Sequence, residues 1–136
     1  MADSEVALIV GGGPGISASC ARLFAAEGMK VAVAARNIGK EPLAQLAADH
    51  GVLLVKCDAS DPESVANLFA EVTSQLGAPH LVIHNIDGRS RDVFRKGIHE
   101  VDPALVLHTL KNSTFSEFLV GQQAARALLA QKQRQE

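Results

Sequence analysis

The sequence predicts an α/β fold, a doubly wound parallel β-sheet of about four strands in the order 3-2-1-4 with helices on both faces. Four short apolar runs lack the polar alternation of a half-exposed strand, so each indicates a strand that is buried on both sides. These runs are residues 6–10, 31–35, 52–57 and 81–85. Helical patterns lie between them, and strict strand–helix alternation with right-handed crossovers gives a doubly wound sheet.

Turn and cap residues place the later helices. The third helix has two alternative starts: Asp61 caps a helix that begins at Pro62, or Ser60 and Glu63 form a capping box. After the fourth strand a polar stretch predicts a loop. An Asp-Pro pair then opens a long final helix over residues 102–131.

Composition excludes several classes of protein. A chain of 136 residues that is 47% hydrophobic, with a net charge of −2, is typical of one compact domain over residues 1–136. We expect no nucleic-acid or membrane partner, since no basic surplus or spanning apolar run is present. The acidic first residues are unlike a signal peptide, so we expect a cytoplasmic protein. Cys20 and Cys57 lack metal-ligand spacing, and we predict two reduced thiols and no metal site.

A glycine-rich turn follows the first strand directly. It reads Gly-Gly-Gly-Pro-Gly-Ile-Ser over residues 11–17 and opens the first helix, as in a Rossmann-type dinucleotide-binding unit. Glycine lets the backbone approach a pyrophosphate, and the helix N-terminus favours the negative charge. The alternative is a tight glycine turn without a ligand. The candidate cofactor-binding residues of this turn are Gly11, Gly13, Gly15, Ile16 and Ser17.

These motifs resemble the short-chain dehydrogenase/reductase family over essentially the whole chain. The family spaces its glycines G-x-x-x-G-x-G, which Gly11 and Gly15 match, while Ser17 stands in place of the third glycine. The third glycine allows close packing between helix and strand. A serine there would either loosen that packing or offer its hydroxyl to a phosphate.

Other positions extend the resemblance and imply further site residues. Asp58 corresponds to the family's aspartate at the third strand, which contacts the adenine. Residues 84–88 are similar to Asn-Asn-Ala-Gly, with Asn85 as the clean match. Residues 110–115 resemble the helix that carries the family's structural asparagine, which makes Asn112 a remnant of an otherwise incomplete catalytic set.

The end of the second strand predicts which cofactor is bound. An acidic residue about 20 positions after the glycines would bind the ribose 2′-hydroxyl of NAD. This chain instead has Ala35 and Arg36, and a guanidinium can pair with a 2′-phosphate that a carboxylate would repel. NADP(H) is therefore favoured over NAD(H). In the alternative interpretation, Arg36 is simply a solvated residue at the end of a strand.

Basic residues are concentrated in the polar stretch of residues 86–101, beyond the fourth strand. This is the side of such sheets on which ligands bind. We nevertheless interpret the cluster as part of a solvated, mobile loop. Its members are Arg89, Arg91, Arg95 and Lys96.

The catalytic residues of the family are missing. The resemblance implies a Tyr-x-x-x-Lys pair and a serine on later elements, and the chain has no tyrosine. We expect a truncated N-terminal half, an NADP(H)-binding portion of an oxidoreductase that is inactive alone. One alternative is a non-enzymatic Rossmann scaffold, engineered or regulatory, that self-assembles. Another is an independent enzyme with His84 or Asp87 as the acid.

The final helix predicts a homodimer. Apolar residues over residues 102–131 cover an arc wider than a helix needs for its own core. The order 3-2-1-4 also leaves the apolar fourth strand at an edge, where it can pair with another chain. We expect a two-fold dimer through this helix. In the alternative, the wide arc covers the domain's own edge strand.

Overall fold

The structure, a computed structural model, describes residues 4–135 and contains one parallel four-stranded sheet. The strands lie in the order β3-β2-β1-β4, which confirms the predicted topology. Each boundary falls within two residues of the prediction, the usual uncertainty at the end of an element. The strands are β1 (Val6–Val10), β2 (Lys30–Ala35), β3 (Leu53–Lys56) and β4 (Leu81–His84).

Strand β1 is the centre of the molecule. All five of its residues are buried, and it pairs with β2 on one side and β4 on the other. Val10 lies opposite both Ala34 and His84, so the carboxyl ends of these strands lie level with one another. The segments that follow the strands therefore meet at one edge of the sheet.

Helices cover both faces of the sheet, as predicted. On one face, the apolar sides of α1 (Ile16–Ala26) and α2 (Leu43–His50) pack against alternate residues of β1 and β2. On the other face, α3 (Pro62–Gln75) packs through its apolar stripe. The final helix adds Leu119 and Val120 to the same core.

Helix α3 begins at the first of its two predicted starts. The Asp61 carboxylate accepts a hydrogen bond from the Ser64 backbone N–H at 3.1 Å, and Pro62 is the first helical residue. Such a cap stabilises a helix by about 1 kcal/mol. The capping-box alternative does not form, because the Ser60 hydroxyl donates to Asp58 Oδ1 at 2.7 Å.

Two predictions for the C-terminal part need correction. The stretch expected to be a loop contains a short helix, α4 (Arg91–Arg95). The single helix predicted over residues 102–131 consists of three parts and extends further. These are α5 (Pro103–Leu110), a π-helical segment (Lys111–Phe115) and α6 (Ser116–Gln135).

Hydroxyl side chains account for the irregular turn in this helix. Thr109 donates to the carbonyl of Leu105 at 2.9 Å, and Ser113 donates to that of Thr109 at 2.6 Å. Ser116 donates to the carbonyl of Asn112 at 2.7 Å. Side-chain donors of this kind compete with backbone N–H groups for the same carbonyls and distort helices. Their spacing is visible in the sequence, but their effect depends on the side-chain rotamers.

Residues 4–135 include no helix that is both long and apolar enough to cross a membrane.

Candidate functional site

A cleft of about 260 Å³ lies where the carboxyl ends of the four strands meet. It spans the point between β1 and β4 at which the strand order reverses, the usual ligand position in open parallel sheets. Every strand contributes the residues that follow it, and the π segment closes one wall. The lining residues are Val10, Gly11, Gly12, Gly13, Ala34, Ala35, Arg36, Cys57, Asp58, Ala59, Ser60, Asn85, Ile86, Asp87 and Asn112.

The first glycine of the turn is required by the fold itself, and the second lies close to a side chain. Gly11 has a φ of +111°, and a Cβ on it would lie 2.1 Å from the carbonyl oxygen of Asn85. A Cβ on Gly12 would lie 2.9 Å from the methyl groups of Leu43. Gly13 and Gly15 differ, because a Cβ on either would meet nothing within 4 Å. Open space thus adjoins the last two glycines of the turn.

The start of α1 has backbone donors to offer. Gly15 is its N-cap residue, and no side chain of the described part of the chain caps this helix end. The first N–H groups of a helix have no partner within the helix and attract anions. An anionic ligand at this turn could accept hydrogen bonds from them.

Ser17 makes a hydrogen bond that belongs to neither of its two predicted roles. Its side chain is 1% exposed, and its Oγ accepts a hydrogen bond from Asn85 Nδ2 at 3.0 Å. The helix remains closely packed, since Ala18 and Ala21 are also buried. Among the described residues, Gly15, Ile16 and Ser17 do not line the cleft, and Ile16 is 66% exposed. Their roles toward a cofactor remain predictions from the resemblance.

Arg36 and Asp58 lie on neighbouring strand ends and both line the cleft. The pKa of Asp58 is lowered, first by hydrogen bonds from the Ser60 hydroxyl and backbone N–H and then by the charges of Arg36 and Lys111. Asp58 is therefore held as a carboxylate. Arg36 is exposed and close enough to Asp58 for its charge to be felt there.

The Asp87 carboxylate binds Arg89 through two hydrogen bonds, 2.8 Å from Nε to Oδ1 and 2.9 Å from Nη2 to Oδ2. These bonds lower the pKa of Asp87 to about 2. The Arg89 guanidinium also lies 5.2 Å from the centre of the Phe94 ring. An aspartate held in this way is a poor proton donor near neutral pH, and Arg89 has a carboxylate partner within the stretch predicted to be a solvated loop.

His84 connects strand β4 to the start of α6. Its Nε2 lies 2.8 Å from the Oγ of Ser116, the first residue of α6, and the same hydroxyl donates to the Asn112 carbonyl of the π segment. Burial lowers the pKa of His84. The side chain is thus part of the packing, and His84 does not line the cleft. Neither His84 nor Asp87 is positioned as a free acid.

Asn112 forms part of the cleft wall from within the π segment. It is 7% exposed, and its Nδ2 lies 2.8 Å from His108 Nε2. Gly88 packs directly against it, since a Cβ on Gly88 would lie 2.8 Å from Asn112 Cβ. Sequence reasoning predicted Asn112 but assigned no role to Gly88. The position of Gly88 soon after the fourth strand was the feature of the sequence that indicated a place near the site.

Further lining residues were also missed. Gly12, Cys57, Ala59 and Ser60 lie in the cleft, and an Asp-x-Ser sequence at the end of β3 was the signal for Ser60. Among residues 4–135, no group of three or more histidine, cysteine or acidic side chains could hold a metal ion.

Comparison with known proteins identifies the family. A family model described as enoyl-(acyl carrier protein) reductase matches residues 11–134. A short-chain dehydrogenase/reductase of Cryptosporiopsis is 35% identical over 82 residues, which are 60% of this chain and 31% of that protein. The chain belongs to the short-chain dehydrogenase/reductase family. Members of this family are oxidoreductases.

Named relatives of this short-chain dehydrogenase/reductase chain include acyl-carrier-protein reductases. The human 3-oxoacyl-[acyl-carrier-protein] reductase is 30% identical over 130 residues, which are 94% of this chain and 52% of that protein. A solved short-chain dehydrogenase/reductase from Mycobacterium marinum is 26% identical with a TM-score of 0.84, covering 95% of this chain and 52% of that one. The chain thus spans from about a third to half of the length of these relatives.

Proposed function

We propose that the cleft binds NADP(H) in preference to NAD(H), and that the chain is the cofactor-binding portion of a short-chain dehydrogenase/reductase-type oxidoreductase. The observation that carries this proposal is the placement of Arg36 in the same cleft as the glycine turn. At the end of β2, where an NAD-binding site has a carboxylate, the chain has Ala35 and Arg36. A guanidinium is well suited to pair with a 2′-phosphate.

The residues of the cleft fit a dinucleotide. Gly13 and Gly15 leave open space beside the backbone, and the uncapped start of α1 supplies N–H donors for a pyrophosphate. Asp58 and Asn85 line the adjoining wall. We assign the pyrophosphate to residues 11–17 and the adenosine half to Arg36 and Asp58. The nicotinamide of such a cofactor supplies or accepts a hydride.

We infer that a polypeptide of these 136 residues does not catalyse hydride transfer by itself. It contains no tyrosine, the residue that transfers the proton in this family. His84 and Asp87 are engaged by Ser116 and Arg89, so neither replaces it. NADPH oxidation with carbonyl compounds, including 3-oxoacyl thioesters, should therefore stay at the background rate.

Calorimetric titration tests the cofactor proposal. The chain should bind NADP⁺ more tightly than NAD⁺ by about ten- to hundredfold, the range of a hydrogen bond to a charged group. Arg36→Ala should weaken NADP⁺ by about that factor and leave NAD⁺ nearly unchanged. Arg22→Ala removes an exposed arginine that does not line the cleft and is the matched control. Equal affinities of the unsubstituted chain for the two cofactors would overturn the assignment.

A second candidate function is a non-enzymatic Rossmann scaffold that assembles with copies of itself. The observation that favours it is an exposed apolar surface on the C-terminal helices, named here the α5–α6 surface. It consists of Val106, Leu107, Leu110, Phe115, Phe118, Leu128 and Leu129. Absence of any dinucleotide binding together with assembly would favour the scaffold over the cofactor-binding portion.

We also propose a homodimer through residues 102–131. Against the alternative, in which the wide apolar arc covers the domain's own edge strand, stands the exposure of the α5–α6 surface. Leu107 is 69% and Phe118 59% exposed. Helix α6 instead reaches the core through Leu119 and Val120. We expect this assembly in the cytoplasm.

A further inference from the structure

Ser17 and Asn85 connect the two elements that enclose the glycine turn. Asn85 Nδ2 donates to Ser17 Oγ at 3.0 Å across 68 positions of sequence. Ser17 lies in the first turn of α1, and Asn85 directly follows β4. At 1% exposure, the serine side chain is shielded from water. Asn85 is exposed, so the bond as a whole is partly buried.

Asn85 is also in contact with the start of the turn. Its backbone N–H donates to the Val10 carbonyl at 2.8 Å. Its own carbonyl oxygen lies so near Gly11 that a Cβ there would approach to 2.1 Å. The backbone of Asn85 therefore abuts the first residues of the turn, while its side chain holds the first turn of α1.

A glycine at position 17 could not make this connection. The family pattern places a glycine there, and this chain has a serine. Without the hydroxyl, the Asn85 amide would lose the acceptor that the structure gives it within residues 4–135. The first turn of α1 and the end of β4 would then lose the side-chain hydrogen bond that joins them.

We propose that Ser17 is a positioning residue of the cofactor site. By accepting the Asn85 amide, it holds α1 against the end of β4 and keeps the turn of residues 11–15 in its binding shape before a ligand arrives. A site that is ordered in advance loses less conformational freedom on binding. The effect of Ser17 on ligand affinity rests on the proposed cofactor binding, whereas its effect on the shape of the turn does not.

Ser17→Ala tests this proposal, with Ser19→Ala as the matched control. Both changes remove one hydroxyl from α1, but Ser19 is exposed. Without any ligand, we expect Ser17→Ala to shift the side-chain amide resonance of Asn85 and to speed amide hydrogen exchange at Gly11, whose N–H donates to the Ala34 carbonyl at 2.8 Å, by about three- to tenfold. The dissociation constant for NADP⁺ should rise by a similar factor. Ser19→Ala should change none of these.

A double-mutant comparison separates a specific connection from general destabilisation. In an Asn85→Ala background, Ser17→Ala should produce no further change in hydrogen exchange, because the two side chains act as one unit. Additive changes would overturn the proposal, and so would an unchanged Asn85 resonance in Ser17→Ala. Faster exchange with an unchanged dissociation constant would overturn the positioning role. If the unsubstituted chain binds neither NADP⁺ nor NAD⁺, both the proposed function and the positioning role are refuted. The hydrogen-exchange rates still decide whether Ser17 orders the turn.

Discussion

Residues that follow the four strands line the cleft, and a side-chain bond between α1 and the end of β4 lies beside it. Gly11, Arg36, Asp58 and Asn85 each follow a strand, and parallel strands bring such residues to one edge, where all four line the cleft. The bond between Ser17 and Asn85 joins positions far apart in sequence. It depends on the exact distance between a helix and a strand, which no local pattern contains.

At the residue scale, two glycines of the same turn should respond differently to alanine. Gly11→Ala places a Cβ 2.1 Å from the Asn85 carbonyl oxygen at a φ of +111°. We expect it to lower the free energy of unfolding by about 2 kcal/mol or more, because both the clash and the backbone strain must be relieved. Gly13→Ala meets open space and is the control. Urea denaturation measures both, and equal losses would contradict the geometry.

At the scale of elements, the strands and the first three helices followed from periodicity and caps. The division of the final helix did not, because a π segment leaves the apolar pattern of Leu107, Leu110 and Phe118 nearly intact. The π segment coincides with hydroxyl-to-carbonyl bonds and with the packing of Gly88 against Asn112, neither of which a local apolar pattern contains. Helix α4 was missed because five residues are too few to show a period.

The contact between His84 of β4 and the start of α6 should make stability depend on pH. Burial lowers the pKa of His84 below its ordinary 6.5, so the unfolded chain binds this proton at a higher pH than the folded chain does. The nearby charge of Glu117 acts in the opposite direction and is the smaller effect. Stability from neutral His84 is therefore present above pH 6.5 and lost as the pH falls below it.

Unfolding measured between about pH 7 and pH 5 checks this expectation. The unsubstituted chain should lose more free energy of unfolding over that range than His84→Asn, which retains a donor for Ser116 but does not titrate. An equally large loss of free energy of unfolding in His84→Asn would show that a group other than His84 is responsible.

For the whole molecule, the topology and the single sheet were predicted from four apolar runs and their connections, and the structure confirms the order 3-2-1-4. Which apolar side chains of the final helix face the core and which face outward could not be predicted from the sequence. An apolar helix side can cover a core or a partner, and only the structure divides α6 into a core side with Leu119 and an exposed side with Phe118.

The proposed homodimer can be tested by light scattering at micromolar concentration. We expect a mass of about twice 14.3 kDa for the unsubstituted chain. Phe118→Glu should shift it to the monomer, because it places a charge on the α5–α6 surface. Leu23→Glu is the control, since Leu23 is an exposed leucine on α1. Leu119→Glu is unsuitable, because Leu119 lies in the core. A monomer mass in every case would rule out this dimer.

Recognition of a 2′-phosphate by Arg36 can be tested on fragments of the cofactor. The most direct test compares the calorimetric affinities of 2′-phospho-ADP-ribose and ADP-ribose. These fragments differ only in that phosphate and do not require the nicotinamide half of the site. We predict that the phosphorylated fragment binds at least about tenfold more tightly. Equal affinities for the two fragments would show that the cleft does not recognise the 2′-phosphate.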